Sequence, residues 1–305
     1  MPRLYVATVG DGLFRSDDLG SSWTKEPGLA ASARLYSLCA ASGELLVGGE
    51  GRIFRYGERA WTELALPAPD TQVWSLAAMD GVILAGTRPL GLFRSDDGGR
   101  RWESLSFALP SGEPQPHTPR ITALLPSPWA AGEVWAGVEV GGVFASADGG
   151  RSWSAANEEI PSLDVHGLAW SSGGLLLAAT PRGVAMWRSA RWMEGVFEPA
   201  DRYCRALATR PDNPGMLYCG FGDGPPGTRG EIALSTDGGR SWRASGVVSD
   251  TESTIWSVAT AADAAGLVLA CSISGKVFVS LDGCASARPV LTTGFETRAV
   301  ACLAE

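Results

Sequence analysis

Short apolar runs separated by glycine-bearing turns recur from one end of the chain to the other. One unit shows their order. The apolar stretch Val73-Trp74-Ser75-Leu76-Ala77 comes first, then a turn, then Val82-Ile83-Leu84-Ala85-Gly86. A glycine-bearing loop leads to Gly91-Leu92-Phe93-Arg94, a polar turn follows, and Trp102 opens a further run. Runs of this length rich in branched and aromatic residues and bounded by turn residues predict strands, four to each unit.

The polar turn is itself repeated. Ser-x-Asp-x-Gly-x-x-Trp occurs at Ser16 to Trp23, Ser95 to Trp102, Ser146 to Trp153 and Ser235 to Trp242, three times with the core Asp-Gly-Gly-Arg. An aspartate there accepts hydrogen bonds from the amides of its own turn, the glycines supply positive φ, and the tryptophan packs beneath. The residue types therefore point to a folding device and not to catalytic aspartates. Trp23 to Trp102 spans 79 residues and Trp153 to Trp242 spans 89. Each span is about twice a propeller blade of roughly 40–45 residues. Each holds a decayed copy, Tyr56 to Trp61 and Trp187 to Trp192, and a last copy at Ser280-Leu281-Asp282-Gly283 has Ala287 in place of the tryptophan. Seven copies of four strands predict an all-β chain, a single seven-bladed β-propeller with four-stranded antiparallel blades. The blades are expected at 31–69, 70–112, 113–160, 161–200, 201–250 and 251–294, with the first divided between 1–30 and 295–305. The N-terminal unit begins at its second strand, Leu4 to Thr8, and Thr297 to Ala304 matches the innermost strand Arg202 to Ala208. The last strand is thus expected to complete blade one and close the ring.

The turn motif resembles the Asp-box, or BNR repeat, of sialidases, xyloglucanases, sortilin-type receptors and photosystem assembly factors. The resemblance covers the whole chain at the level of the repeat and implies a fold more than an activity. Sialidases add an Arg-Ile-Pro motif, an arginine triad and a Tyr/Glu nucleophile pair. Here Arg120-Ile121 continues into Thr122, and of five tyrosines only Tyr36 and Tyr203 fall near the expected mouth. The segment Ala206 to Pro214 with Leu217-Tyr218 is similar to xyloglucanase and sortilin repeats, but xyloglucanases place substrate between two propellers. Photosystem assembly factors are single seven-bladed rings with an arginine-rich surface for a partner.

In propellers of this type the inner strands start on one face, the top, and the polar turns lie on the other. Inner-strand starts bring Arg34, Trp74, Arg120, Asp164, His166, Arg202, Tyr203, Arg205, Trp256 and Arg298 toward a central mouth, and the second-to-third strand loops add Glu50, Arg88, Glu139 and Arg182. Arginine suits bidentate recognition of carboxylate or phosphate, and the aromatics offer stacking surfaces. Two longer connections, 106–119 and 222–230, also fall on the top. The expected function is binding of an anionic small molecule, glycan or peptide segment at that mouth. The alternative is a glycoside hydrolase- or lyase-like enzyme with Glu139, Asp164 or His166 as acid or base, Glu139 and Asp164 being the candidate inverting pair.

Composition narrows the partners. A formal net charge of −8 disfavours nucleic acid. Only Lys25 and Lys276 are lysine among 25 cationic residues, as in a GC-rich bacterial genome. Two histidines and six unclustered cysteines predict no metal centre, no disulfide and no cofactor. No leader and no apolar run of membrane length are visible, so a cytoplasmic monomer without a membrane partner is expected.

Overall fold

The computed structural model describes residues 1–41, 43–57, 60–105, 109 and 118–304. Among them the one helical piece is a single turn, Ser172–Gly174. Seven antiparallel sheets stand around a ring as a seven-bladed β-propeller. In blade three, Gln72–Met79, Val82–Arg88, Gly91–Ser95 and Glu103–Leu105 pair in that order from the axis outward. No helix among the described residues is long and apolar enough to cross a membrane.

Second strands read as continuous apolar runs because neighbouring blades cover both of their faces. Leu4, Tyr5, Val6 and Ala7 are all buried, as are Leu45, Leu46 and Val47 in the next blade. Closure occurs as the repeat pattern requires. Thr297–Leu303 pairs antiparallel with Arg3–Thr8, Val6 opposite Val300, so the last strand is the innermost of blade one. Blade six gains a fifth strand: Val196–Phe197 runs parallel to Ser241–Asp250.

The polar turns share one bond set. Ser16 Oγ donates to Asp18 and accepts from Gly20 N, both at 2.8 Å, while Asp18 accepts from Ser22 N and Oγ. The same serine–aspartate core recurs at Ser95/Asp97, Ser146/Asp148 and Ser235/Asp237. It persists at Ser280/Asp282, the copy without tryptophan, where Cys284 holds a φ of 65° in the position that Gly20, Gly99, Gly150 and Gly239 occupy elsewhere. Each aspartate is thus committed to its own turn. In the two decayed copies an aromatic pair spans the hairpin instead: Tyr56 with Trp61 at 5.1 Å and Trp187 with Trp192 at 5.3 Å.

Adjacent blades are clasped near the axis by side chains donating to the next blade's backbone. Ser37 Oγ bonds the Val73 carbonyl at 2.8 Å, Ser75 Oγ that of Ile121 at 2.9 Å, and Thr122 Oγ1 that of Val165 at 2.6 Å.

Candidate functional site

Aligning the seven inner strands reveals a collar. Tyr36, Trp74, Thr122, His166, Arg205, Trp256 and Arg298 each follow a buried residue and precede Ser, Ala or Gly, and all seven line one axial cavity of about 230 Å³. In five strands the collar residue is the extra one of a β-bulge. Val73 and Ser75 pair with Thr87 and Gly86, leaving Trp74 unmatched, and the same shift isolates Thr122, Arg205, Trp256 and Arg298. A bulge re-aims its extra side chain, here toward the axis.

The collar alternates guanidinium and indole. Arg120 lies 4.0 Å over Trp74, Arg298 lies 5.1 Å from Trp74 and 4.8 Å from Trp256, and Arg205 lies 3.9 Å over Trp256. Stacked this way, each guanidinium keeps its face on an aromatic ring and leaves its edge for hydrogen bonds. Glu139, with its side chain 3% exposed, accepts from Arg120 at Oε1, forms an ion pair with it through Oε2 and lies 3.6 Å from Arg205. Arg298 bonds Glu296 at 2.7 Å, and that carboxylate is half exposed. Asp164 lies 3.2 Å from His166, whose ring packs 4.7 Å from Tyr203. Above this layer Glu50 accepts from Arg34 and from the Tyr36 hydroxyl. Gln72 links Tyr36 to the Trp74 indole N–H.

Burial governs proton affinity here. Desolvation, and secondarily Arg205, lower the His166 pKa. Desolvation likewise weakens proton binding by Arg205 and Arg298 and pushes the Tyr203 and Tyr36 hydroxyls up. Arg205 is buried, and among the described residues its Nη1 has no hydrogen-bond acceptor.

Of the residues expected at the mouth, Trp74, His166, Arg205, Trp256 and Arg298 line the cavity, while Arg120, Glu139, Asp164 and Tyr203 contact those residues from outside the lining. Arg34 and Glu50 form an exposed pair above it. Arg88, Arg182 and Arg202 do not line it: Arg182 turns outward to Glu194 at 3.9 Å, and Arg202 is exposed. The 222–230 loop is held by Asp223, which accepts from Thr228 and Arg229, and contributes nothing to the lining. The long connection 106–119 lies almost wholly outside the described residues. Thr122 is a collar member that sequence reasoning passed over, as it did the role of Tyr36. The aligned apolar–X–small triplet was the available signal.

Glu139, Asp164 and His166 offer ligand atoms within 4.8 Å of one another, the donor types of a metal site. A divalent cation there would meet Arg120 clamped on Glu139 and Arg205 beside it, so this donor set does not fit one. The same spacing is shorter than the roughly 6.5–9.5 Å an inverting glycosidase leaves between its carboxylates.

No protein-family model matches the chain, and no curated protein matches it. Solved structures do. One described as YCF48 bound to D1 peptide superposes with a TM-score of 0.56 at 17% identity, covering 84% of this chain and 82% of its own. A GH74 enzyme from Niastella koreensis gives 0.60 at 14%, covering 97% of this chain and 66% of its own. Virginiamycin B lyase from Staphylococcus aureus gives 0.66 at 11%, with 91% and 90% covered. At such identities the likeness is one of fold.

Proposed function

We propose that this chain is an Asp-box-type binding propeller whose top-face collar recognises an anionic group carried by a small molecule, a glycan or a peptide segment. One observation carries the reading. Arg205 and Arg298 line one cavity and Arg120 stacks on its Trp74, Glu139 is the buried counter-ion of Arg120 and Arg205, and among the described residues Arg205 Nη1 lacks an acceptor. An unsatisfied buried donor costs on the order of 1–3 kcal/mol, which an incoming oxygen recovers. The cavity holds only a terminal group, since ligand sites for whole drug-sized molecules run from about 300 Å³ upward. A structural neighbour named for a bound peptide and another named as a glycoside hydrolase fit either presentation of that group.

The enzyme reading draws on the convergence of Glu139, Asp164 and His166. Against it, both oxygens of Glu139 are engaged by Arg120. Thermal-shift screening with acetate, uronic and sialic acids, glycans and peptides bearing free C-termini tests the binding reading on wild type and Arg298→Gln. Stabilisation by a carboxylate that the substitution abolishes supports it. A panel that stabilises neither protein, or both equally, removes it.

A further inference from the structure

We infer that a second site, away from the axis, lies on the face of the polar turns between blades five and six and takes a monocarboxylate with a hydrocarbon body. Local structure prepares the place. Blade five has lost its polar turn, and Gly183–Arg188 returns to Arg191–Glu194 through two residues only, Ser189 and Ala190. Their φ values of 53° and 60° are those of the tight primed turn that matches the twist of paired strands. Blade three carries the whole segment 96–102 at the corresponding point. Beside the short hairpin is a pocket of about 620 Å³, lined on its other side by Gly238 and Arg240 from the polar turn of blade six. Gly173 and Gly174 also line it, and a side chain at either would meet nothing within 4 Å.

The wall has two characters. Leu175, Met186, Trp187, Met193 and Val196 supply hydrocarbon, with Met193 42% and Val196 64% exposed. Trp187 is held by Trp135 and Trp192, while the two unbranched methionines can re-pack around a guest. Arg188 and Arg240 are the cations of the lining and Glu194 is its one acid. Glu194 lies 3.9 Å from Arg182, which offsets its charge. Arg240 donates from Nη1 to the Asp237 carbonyl. Arg188 is exposed and has no hydrogen-bond or ion-pair partner among the described residues. The pocket is thus locally positive in a chain of net charge −8. An apolar wall with a cationic edge is complementary to an amphipathic anion. Its volume fits a small molecule, since such sites run from about 300 to 1,000 Å³, whereas a stable protein contact needs a face of about 800 Å². The linings of this pocket and of the axial cavity share no residue.

Decanoate, added to the intact chain, is the probe. The chain has five methionines, so 13C-methyl NMR follows Met186 and Met193 individually. Decanoate is expected to shift those two methyls together and to leave those of Met79 and Met216 in place. Calorimetry over hexanoate, octanoate and decanoate should show affinity rising by up to about fourfold for each methylene buried. Decanol, which lacks the charge, should bind about tenfold more weakly than decanoate. Arg188→Glu should remove that advantage while leaving the affinity for decanol unchanged. Arg298→Gln, at the axial collar, should bind decanoate as the wild type does. Decanoate that moves neither methyl overturns the inference. So does decanol binding as tightly as decanoate, or an advantage of decanoate that survives Arg188→Glu. Binding lost in Arg298→Gln overturns it as well, by assigning decanoate to the axial cavity.

Discussion

Glu139→Gln isolates the electrostatics of the collar. The substitution keeps the shape of the side chain and removes the one buried carboxylate that serves both Arg120 and Arg205. Its side chain is 3% exposed and that of Arg205 is 4% exposed, so water does not replace the lost charge. Breaking such a buried ion pair costs about 3–5 kcal/mol. At about 2 °C per kcal/mol for a large domain, the melting temperature should fall by roughly 6–10 °C. Glu296→Gln is the matched control. Its carboxylate is half exposed, and an exposed pair contributes about 1 kcal/mol or less. The assay is thermal and urea unfolding of both variants by far-UV circular dichroism, repeated with added acetate. Acetate at a hundredfold excess over its Kd should restore about 2.7 kcal/mol to Glu139→Gln by bringing a carboxylate to the unneutralised arginines from the cavity. Equal melting of the two variants would show that Glu139 does not neutralise the buried arginines. Absence of selective acetate rescue would show that the site does not admit a free anion.

Three further outcomes follow from other parts of the fold. Removing residues 296–305 strips the inner strand from blade one and bares the edge of Arg3–Thr8; the product should aggregate on gel filtration, and unchanged melting and elution would contradict closure. Asp18, Asp223 and Asp282 have pKa values pulled down to about 2, below the ordinary aspartate value of 3.8, by hydrogen bonds from Ser22, Thr228 and Ser286. Their stabilisation is present above the unfolded value and lost as pH falls from about 4 through about 2, so melting temperatures measured across that window should drop there, and less steeply in Asp18→Asn. Burial pushes the Cys271 thiol up to about 12, and the residue is fully buried; a thiol reagent at pH 8 should label it only at the rate of unfolding, and labelling of Cys271 in the native chain would contradict its burial.

The ring was legible because its punctuation is local. Ser-x-Asp turns report their own hydrogen bonds, and the orphan strand at Thr297–Leu303 could complete only the unit that lacked one. Even the copy at Ser280 keeps its bonds after losing the tryptophan. The site was legible as a face but not as a list. Arg205 and Arg298 point inward because each is the extra residue of a bulge, whereas Arg182 points outward to an outer strand. Bulges leave no mark in composition, since they depend on which partner residue is skipped across the ladder. The deep burial of Glu139 was equally hidden, because it depends on Arg120 in the neighbouring strand of the same blade.

A residue left out of its ladder owes little to the sheet that carries it. At the collar positions of five blades the neighbours on either side keep the register, and of the side chains between them only Thr122 also makes one of the blade-to-blade clasps described above. Tyr, Trp, Thr, His and Arg all occupy the ring, a diversity that the strands beneath tolerate without change of topology. The scaffold therefore behaves as a fixed dial with interchangeable settings. Collar positions outside the buried Arg205–Glu139 pair are the ones where one or two substitutions change the charge or shape of the mouth at least cost to folding.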